Sequence, residues 1–184
     1  MTQPETMKHH GDSCCGIYCG ACSVLRHGET GHGDGFVACC GSVAKEEIAC
    51  GGCTSDRLYA GCRVCAIRDC VTAKGISCCV ECADYPCQAY RRWQLASRLL
   101  PHVGEAPASL AAIKRDGAEA WLAAQKKRWA CPGCGAPFSW YQAVCTGCGR
   151  DLGAAAYAMS GLRRLLCRFV LPMVYRKGKG RTPA

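Results

Sequence analysis

Cysteine occupies 20 of the 184 positions, and most of these cysteines stand in pairs two residues apart. Cys50/Cys53, Cys62/Cys65, Cys79/Cys82, Cys131/Cys134 and Cys145/Cys148 all read C-x2-C. Such a pair turns two sulfurs toward one ion across a tight turn, and two pairs complete a tetrahedron. A secreted disulfide scaffold is the other reading of a cysteine-rich chain. That reading needs an export signal, and the opening MTQPETMKHHGDSCC is polar with no apolar core. The expectation is a cytoplasmic protein with reduced thiols.

Large aliphatic and aromatic residues are sparse before residue 90. Metal coordination is therefore expected to supply folding free energy there, about 10–16 kcal/mol for a structural zinc site in a small domain. Charge is uneven. Residues 1–90 hold 7 Lys/Arg against 10 Asp/Glu, and residues 150–184 hold 8 against 1. Each four-thiolate zinc site adds about −2, so the N-terminal half is acidic and the basic character lies in the C-terminal half.

Five segments are expected: a disordered N-terminus (1–13), a cysteine-rich metal-binding domain (14–92), a helical linker (93–130), a zinc ribbon (131–151) and an amphipathic basic tail (152–184). Within the second, Cys62, Cys65 and Cys70 recur as Cys79, Cys82 and Cys87, shifted by 17 residues. The segments CRVCAIRDC and CVECADYPC are expected to be successive knuckles of similar shape. Cys15, Cys19 and Cys22 open the block, and Cys50 and Cys53 stand between. These eleven cysteines fill two four-ligand sites and leave three over; Cys14, Cys39, Cys40 or Cys78 could supply a twelfth ligand. The pairing is not fixed by spacing. An uncoordinated, exposed Cys39 or Cys78 would be open to redox chemistry. His27 and His32 are further candidates in a segment already rich in sulfur. The glycine-rich run GETGHGDGF lacks the strand–loop–helix setting of a phosphate loop and reads as a flexible connection.

The sharpest motif is Cys131-Pro-Gly-Cys134-Gly, a ten-residue spacer, then Cys145-Thr-Gly-Cys148-Gly. Glycine after each pair lets backbone amides turn toward the sulfurs, and the spacer is long enough for a short hairpin. Four protein ligands leave no open coordination position, so this site is structural. Ahead of it, residues 106–129 form an amphipathic helix that Gly117 can split. The fold class is a small metal-stabilised α+β protein. An irregular multi-knuckle domain is joined by helix to a C-terminal zinc ribbon.

The order CGIYCGAC, CGGC, CRVCAIRDC and KGISCCVECADYPC resembles an uncharacterised cysteine-rich family of bacteria and archaea. Its members open on CG-x2-CG-x-C and close on C-x2-C-x-D-Y/F-P-C. The likeness covers residues 14–92. For a subset with a linking helix and a terminal zinc ribbon it extends to residue 151. It implies metal ligation at Cys15, Cys19, Cys22, Cys50, Cys53, Cys62, Cys65, Cys70, Cys79, Cys82 and Cys87. It implies no activity, and Cys14, Cys39, Cys40, Cys78 and Cys167 lie outside its pattern.

No Ser/His/Asp set, carboxylate pair or H-E-x-x-H motif is present. The opening triplet has radical SAM spacing, but such activity needs a barrel of roughly 200 residues. The expected function is a non-enzymatic, metal-binding adaptor holding several zinc ions and meeting a protein partner. Two alternatives stand beside it: an iron–sulfur protein with one 4Fe-4S cluster in the N-terminal domain, and a nucleic-acid binder through the basic half. In the tail, Leu162, Leu165, Leu166, Phe169, Val170 and Met173 make a helical stripe for a membrane surface, a partner or the chain's own ribbon. Arg163, Arg164 and Arg168 are expected opposite it, with Pro172 ending or kinking the helix.

Overall fold

The computed structural model describes residues 13–40 and 47–179. The expected disordered N-terminus lies, but for Ser13, outside the described residues. The described chain is mostly helical. Its α-helices are α1 (Ser23–Thr30), α2 (Ala60–Arg63), α3 (Ala66–Lys74), α4 (Gln88–Gln94), α5 (Pro101–Gly104), α6 (Ala106–Asp116), α7 (Ala118–Arg128) and α8 (Gly161–Lys179). Among the described residues no strand forms, and the β component reduces to two isolated bridges, Ala130 to Pro137 and Val144 to Asp151.

Three of the C-x2-C segments share a local device. The Cys22 amide donates to the Cys19 carbonyl at 2.9 Å, Cys65 to Cys62 at 3.3 Å, and Cys82 to Cys79 at 3.1 Å. Each pair thus spans one tight turn. Cys22, Cys65 and Cys87 then sit at the N-caps of α1, α3 and α4. The amide-rich end of a helix favours a thiolate placed there.

The internal repeat holds only as far as this turn. After Cys65 the chain runs on as α3 and carries Cys70 along the helix. After Cys82 it crosses Pro86, which cannot continue a helix, before α4 starts at Gln88. The two knuckles therefore differ in shape beyond their second cysteine.

Two buried clusters hold the chain together. In the smaller, Leu110 of α6 packs on Cys14, Cys15, Ile67, Val71, Cys79 and Tyr90. Gly16 makes this approach possible. It adopts φ +87°, and a Cβ there would lie 2.7 Å from both the Ala106 carbonyl oxygen and Leu110 Cγ. The larger cluster joins Val24, Phe36 and Tyr59 to Trp129, Phe138, Trp140 and Tyr141. The apolar mass missing before residue 90 is thus supplied from the C-terminal half. As the sequence suggests, Gly117 divides the linker into α6 and α7.

The aromatic spacer between the ribbon's cysteine pairs explains the missing hairpin. Its backbone bonds outward: Phe138 N–H to the Trp129 carbonyl at 3.0 Å and Trp140 N–H to the Ala21 carbonyl at 3.0 Å. Burying Phe138, Trp140 and Tyr141 outweighs pairing the spacer with itself.

The glycine-rich run is not a loose connection. Asp34 accepts from the Ser23 hydroxyl at 2.6 Å, the Ser139 hydroxyl at 2.5 Å, and the Phe36 and Val37 amides at 2.9 and 3.1 Å. One carboxylate ties α1, this run and the ribbon spacer together.

The tail departs from expectation in its inner face, while its stripe stays exposed, as a membrane or partner surface would be. Helix α8 runs through Pro172 without ending. Its inner face is apolar rather than arginine-bearing: Cys167, Leu171, Tyr175 and Gly178 are buried against α2 and the 3-10 turn Val37–Cys40. The predicted stripe faces outward, with Leu162 70% and Phe169 67% exposed, so among the described residues it does not pack on the ribbon. The inner face wins because it reaches Cys39, Cys40 and Tyr59, already in the core.

Candidate metal centre

Cys131, Cys134, Cys145 and Cys148 bring their sulfurs together, all within 4.8 Å of one another. Cys131 Sγ lies 3.7 Å from Cys148 Sγ, and Cys134 Sγ lies 3.6 Å from Cys145 Sγ. Four sulfurs held 2.3 Å from one ion stand about 3.8 Å apart. The spacing thus suits a single tetrahedral ion.

The two halves of this site are built alike. The Cys131 amide donates to the Ala136 carbonyl at 2.8 Å, and the Gly135 amide to the Cys131 carbonyl at 2.8 Å. In the second half Cys145 bonds Arg150 at 2.8 Å and Gly149 bonds Cys145 at 2.9 Å. Gly135 and Gly149 both take φ 74°, a left-handed turn that returns the chain to the sulfurs. The first cysteine of each pair is buried and the second exposed. The amide of Gly133 points at Cys131 Sγ from 3.4 Å. With the Cys134 amide it pulls that thiol down to about 6, while the neighbouring sulfurs push Cys134 up.

The N-terminal cysteines are less tightly drawn. Among the described residues, no three of their sulfurs all come within 4.8 Å. Their electrostatic neighbours nevertheless sort them into two sets, which meet where the Cys79 amide donates to the Cys14 carbonyl at 2.9 Å. Around Cys53 stand Cys14, Cys15, Cys19, Cys62 and Cys65, and Cys22 and Cys50 adjoin Cys62. Cys14 Sγ is 3.7 Å from Cys53 Sγ. A residue outside the family-like pattern thus stands at ligand spacing from Cys53. Burial pushes Cys22 up to about 12, against the pull of the Leu25 and Val24 amides at the start of α1. Cys70, Cys79, Cys82 and Cys87 form the second group, around a cavity of about 20 Å3 walled by Ile67, Val71 and Ile76.

The remaining cysteines are core thiols. Cys39, Cys40 and Cys167 are fully buried. Cys39 donates its S–H to the Gly35 carbonyl at 3.1 Å, and burial pushes Cys167 up to about 11. Cys78 is also buried, so neither Cys39 nor Cys78 is the exposed thiol that redox chemistry would use. His32 is exposed, with Nδ1 3.0 Å from the Thr30 carbonyl oxygen. His27 is buried among the residues of α1. Neither histidine belongs to the four-sulfur cluster.

No motif points to His102. It is buried, stacked on Trp140 with centroids 3.8 Å apart, and its Nδ1 is 2.7 Å from the Tyr141 hydroxyl. Burial pulls its pKa down to about 3, so it is neutral and structural.

A helical, cysteine-rich chain with one gathered four-sulfur cluster fits a metal-binding protein. Residues 12–92 match the family described as Protein of unknown function (DUF3795), which supports placing that segment in an uncharacterised family. No curated protein and no solved structure matches the chain.

Proposed function

We propose that this chain is a non-enzymatic, metal-stabilised interaction module whose ions, mainly zinc, are structural. The supporting observation is the ribbon geometry: sulfur spacings of 3.6 and 3.7 Å that suit one tetrahedral ion. All four ligands come from the protein, so no coordination position is open for substrate. The N-terminal cysteines take further ions, and coordination adds to the core that this segment shares with the C-terminal half. The test is chelation of the full chain. Removing metal should abolish the folded near-UV signal of Trp129 and Trp140, and zinc should restore it. An unchanged spectrum after complete metal removal would sink the proposal.

A second reading places one 4Fe-4S cluster among the cysteines around Cys53. What favours it is the opening triplet Cys15, Cys19 and Cys22, since three close thiolates with a fourth from elsewhere ligate such clusters. Visible absorption after oxygen-free purification separates the readings, because zinc thiolates are colourless.

A further inference from the structure

We infer that Cys70, Cys79, Cys82 and Cys87 form a separate single-ion site for a soft divalent cation of the zinc class. This rests on the reading of the chain as metal-binding, and it cuts across the sequence repeat. The repeat would keep Cys70 with Cys62 and Cys65. The fold instead sends Cys62 and Cys65 toward Cys53 and turns Cys70, on α3, toward the knuckle of Cys79 and Cys82.

Three observations carry the assignment. All four cysteines line one cavity, and Cys87 reaches it from the N-cap of α4. The cavity holds about 20 Å3, enough for one ion where about 10–15 Å3 admits a single water, and too small for an iron–sulfur cube; no three of its sulfurs stand within 4.8 Å of one another, so an ion must draw them in. Its other walls are Ile67, Val71, Ile76, Ala89 and the ring of Tyr85, so the four thiols are its soft ligands. Outside it, Lys74 Nζ lies 3.1 Å from Cys82 Sγ and 2.7 Å from Asp84 Oδ2. Four thiolates around a divalent ion leave about two negative charges, and an ammonium held against one sulfur offsets part of them.

Native mass spectrometry of the full chain, combined with alkylation mapping, tests this. Cys70→Ser and Cys79→Ser should each lose one ion, and the double variant should still lose only one. Cys62→Ser with Cys79→Ser should lose two. If Cys70 and Cys79 losses add, the assignment is overturned. Should these variants not fold, the wild-type chain gives the same answer. During graded chelation, Cys70, Cys79, Cys82 and Cys87 should become reactive to alkylation as one set. Labelling of Cys70 together with Cys62 and Cys65 would overturn the grouping. A chain whose ribbon binds an ion while this set stays reactive defeats this inference alone; a chain with no ion at all defeats the metal reading too.

A different observation carries a second proposal: the outer face of α8 docks on an anionic lipid surface. Leu162, Leu165, Leu166, Phe169, Val170 and Met173 are 40–70% exposed along a 19-residue helix, about 28 Å long at 1.5 Å per residue. The helix carries Arg163, Arg164, Arg168, Arg176, Lys177 and Lys179 and no acidic residue. Lys179 is held by Glu47 at 2.9 Å. An apolar band with basic margins complements anionic headgroups over acyl chains. A second copy of the chain would set like charges against each other. No helix among the described residues is long and apolar enough to cross a membrane.

Co-sedimentation with phosphatidylserine/phosphatidylcholine vesicles tests it. The chain should bind these, bind pure phosphatidylcholine at least tenfold less, and release in high salt. Phe169→Glu with Met173→Glu should remove binding while keeping the metal count, since both residues are exposed. Absence of vesicle binding, or a stripe-dependent dimer or RNA complex in its place, would overturn it.

Discussion

Gly178 of α8 leaves no space for a side chain against Ala60 of α2: a Cβ there would fall 1.7 Å from the Ala60 carbonyl oxygen. This backbone contact, two residues from Cys62, fixes which face of the tail helix turns inward. Gly178→Val should lift the end of α8 and cost about 1–3 kcal/mol by overpacking. Limited proteolysis should then cut within residues 161–179 faster than in wild type. Equal cleavage rates would show that α8 is held elsewhere.

Gly16 makes the corresponding contact under α6. Gly16→Ala adds backbone strain at φ +87° to a clash with Ala106 and Leu110, roughly 2–4 kcal/mol together. Gly31 is the control: its φ is +72° with nothing within 4 Å, so Gly31→Ala should cost only about 1–2 kcal/mol. Denaturant midpoints measure both, and equal losses would mean that the approach of Leu110 is not tight.

Asp34 is a carboxylate doing the work of a joint. Asp34→Ala leaves the Ser23 and Ser139 hydroxyls and the Phe36 and Val37 amides without their acceptor. The expected loss is about 2–4 kcal/mol, as for hydrogen bonds to a charged group. Thermal unfolding with metal in excess gives the value, and a change below about 0.5 kcal/mol would contradict it.

His102 sets a pH dependence independent of any metal ligand. Its folded pKa, about 3, lies below the ordinary histidine value of about 6.5. Between those values the unfolded chain binds the extra proton, so stability rises with pH and is lost as pH falls from about 6.5 toward 3. His102→Phe keeps a ring against Trp140 and removes this proton. The wild-type curve should fall more steeply than the variant's between pH 6.5 and 5. Parallel curves would show that His102 already carries its charge when folded.

Much of the site was readable from the chain. C-x2-C spacing marked the four cysteines that gather, and glycine after each pair announced the left-handed turns at Gly135 and Gly149. Gly117 marked the break between α6 and α7. The regrouping of Cys70 was hidden because spacing repeats while local structure does not: a helix follows Cys65 and a proline follows Cys82. The expected β component was lost because Phe138, Trp140 and Tyr141 are drawn into a core formed with distant residues. The inward face of α8 was missed because Cys167 and Gly178 carry little hydropathy, and their role comes from close fit against α2. Asp34 and His102 had no signal, since their partners lie far along the chain.

The most direct test is elemental analysis, with a visible spectrum, of full-length protein purified without oxygen. On the proposed function, the Cys131 cluster and the cavity take one ion each, and the eight cysteines of the Cys53 group take two. The expected result is therefore about four zinc per chain and no colour. A chain that is folded with less than one metal ion per molecule would contradict the claim that metal holds this structure together.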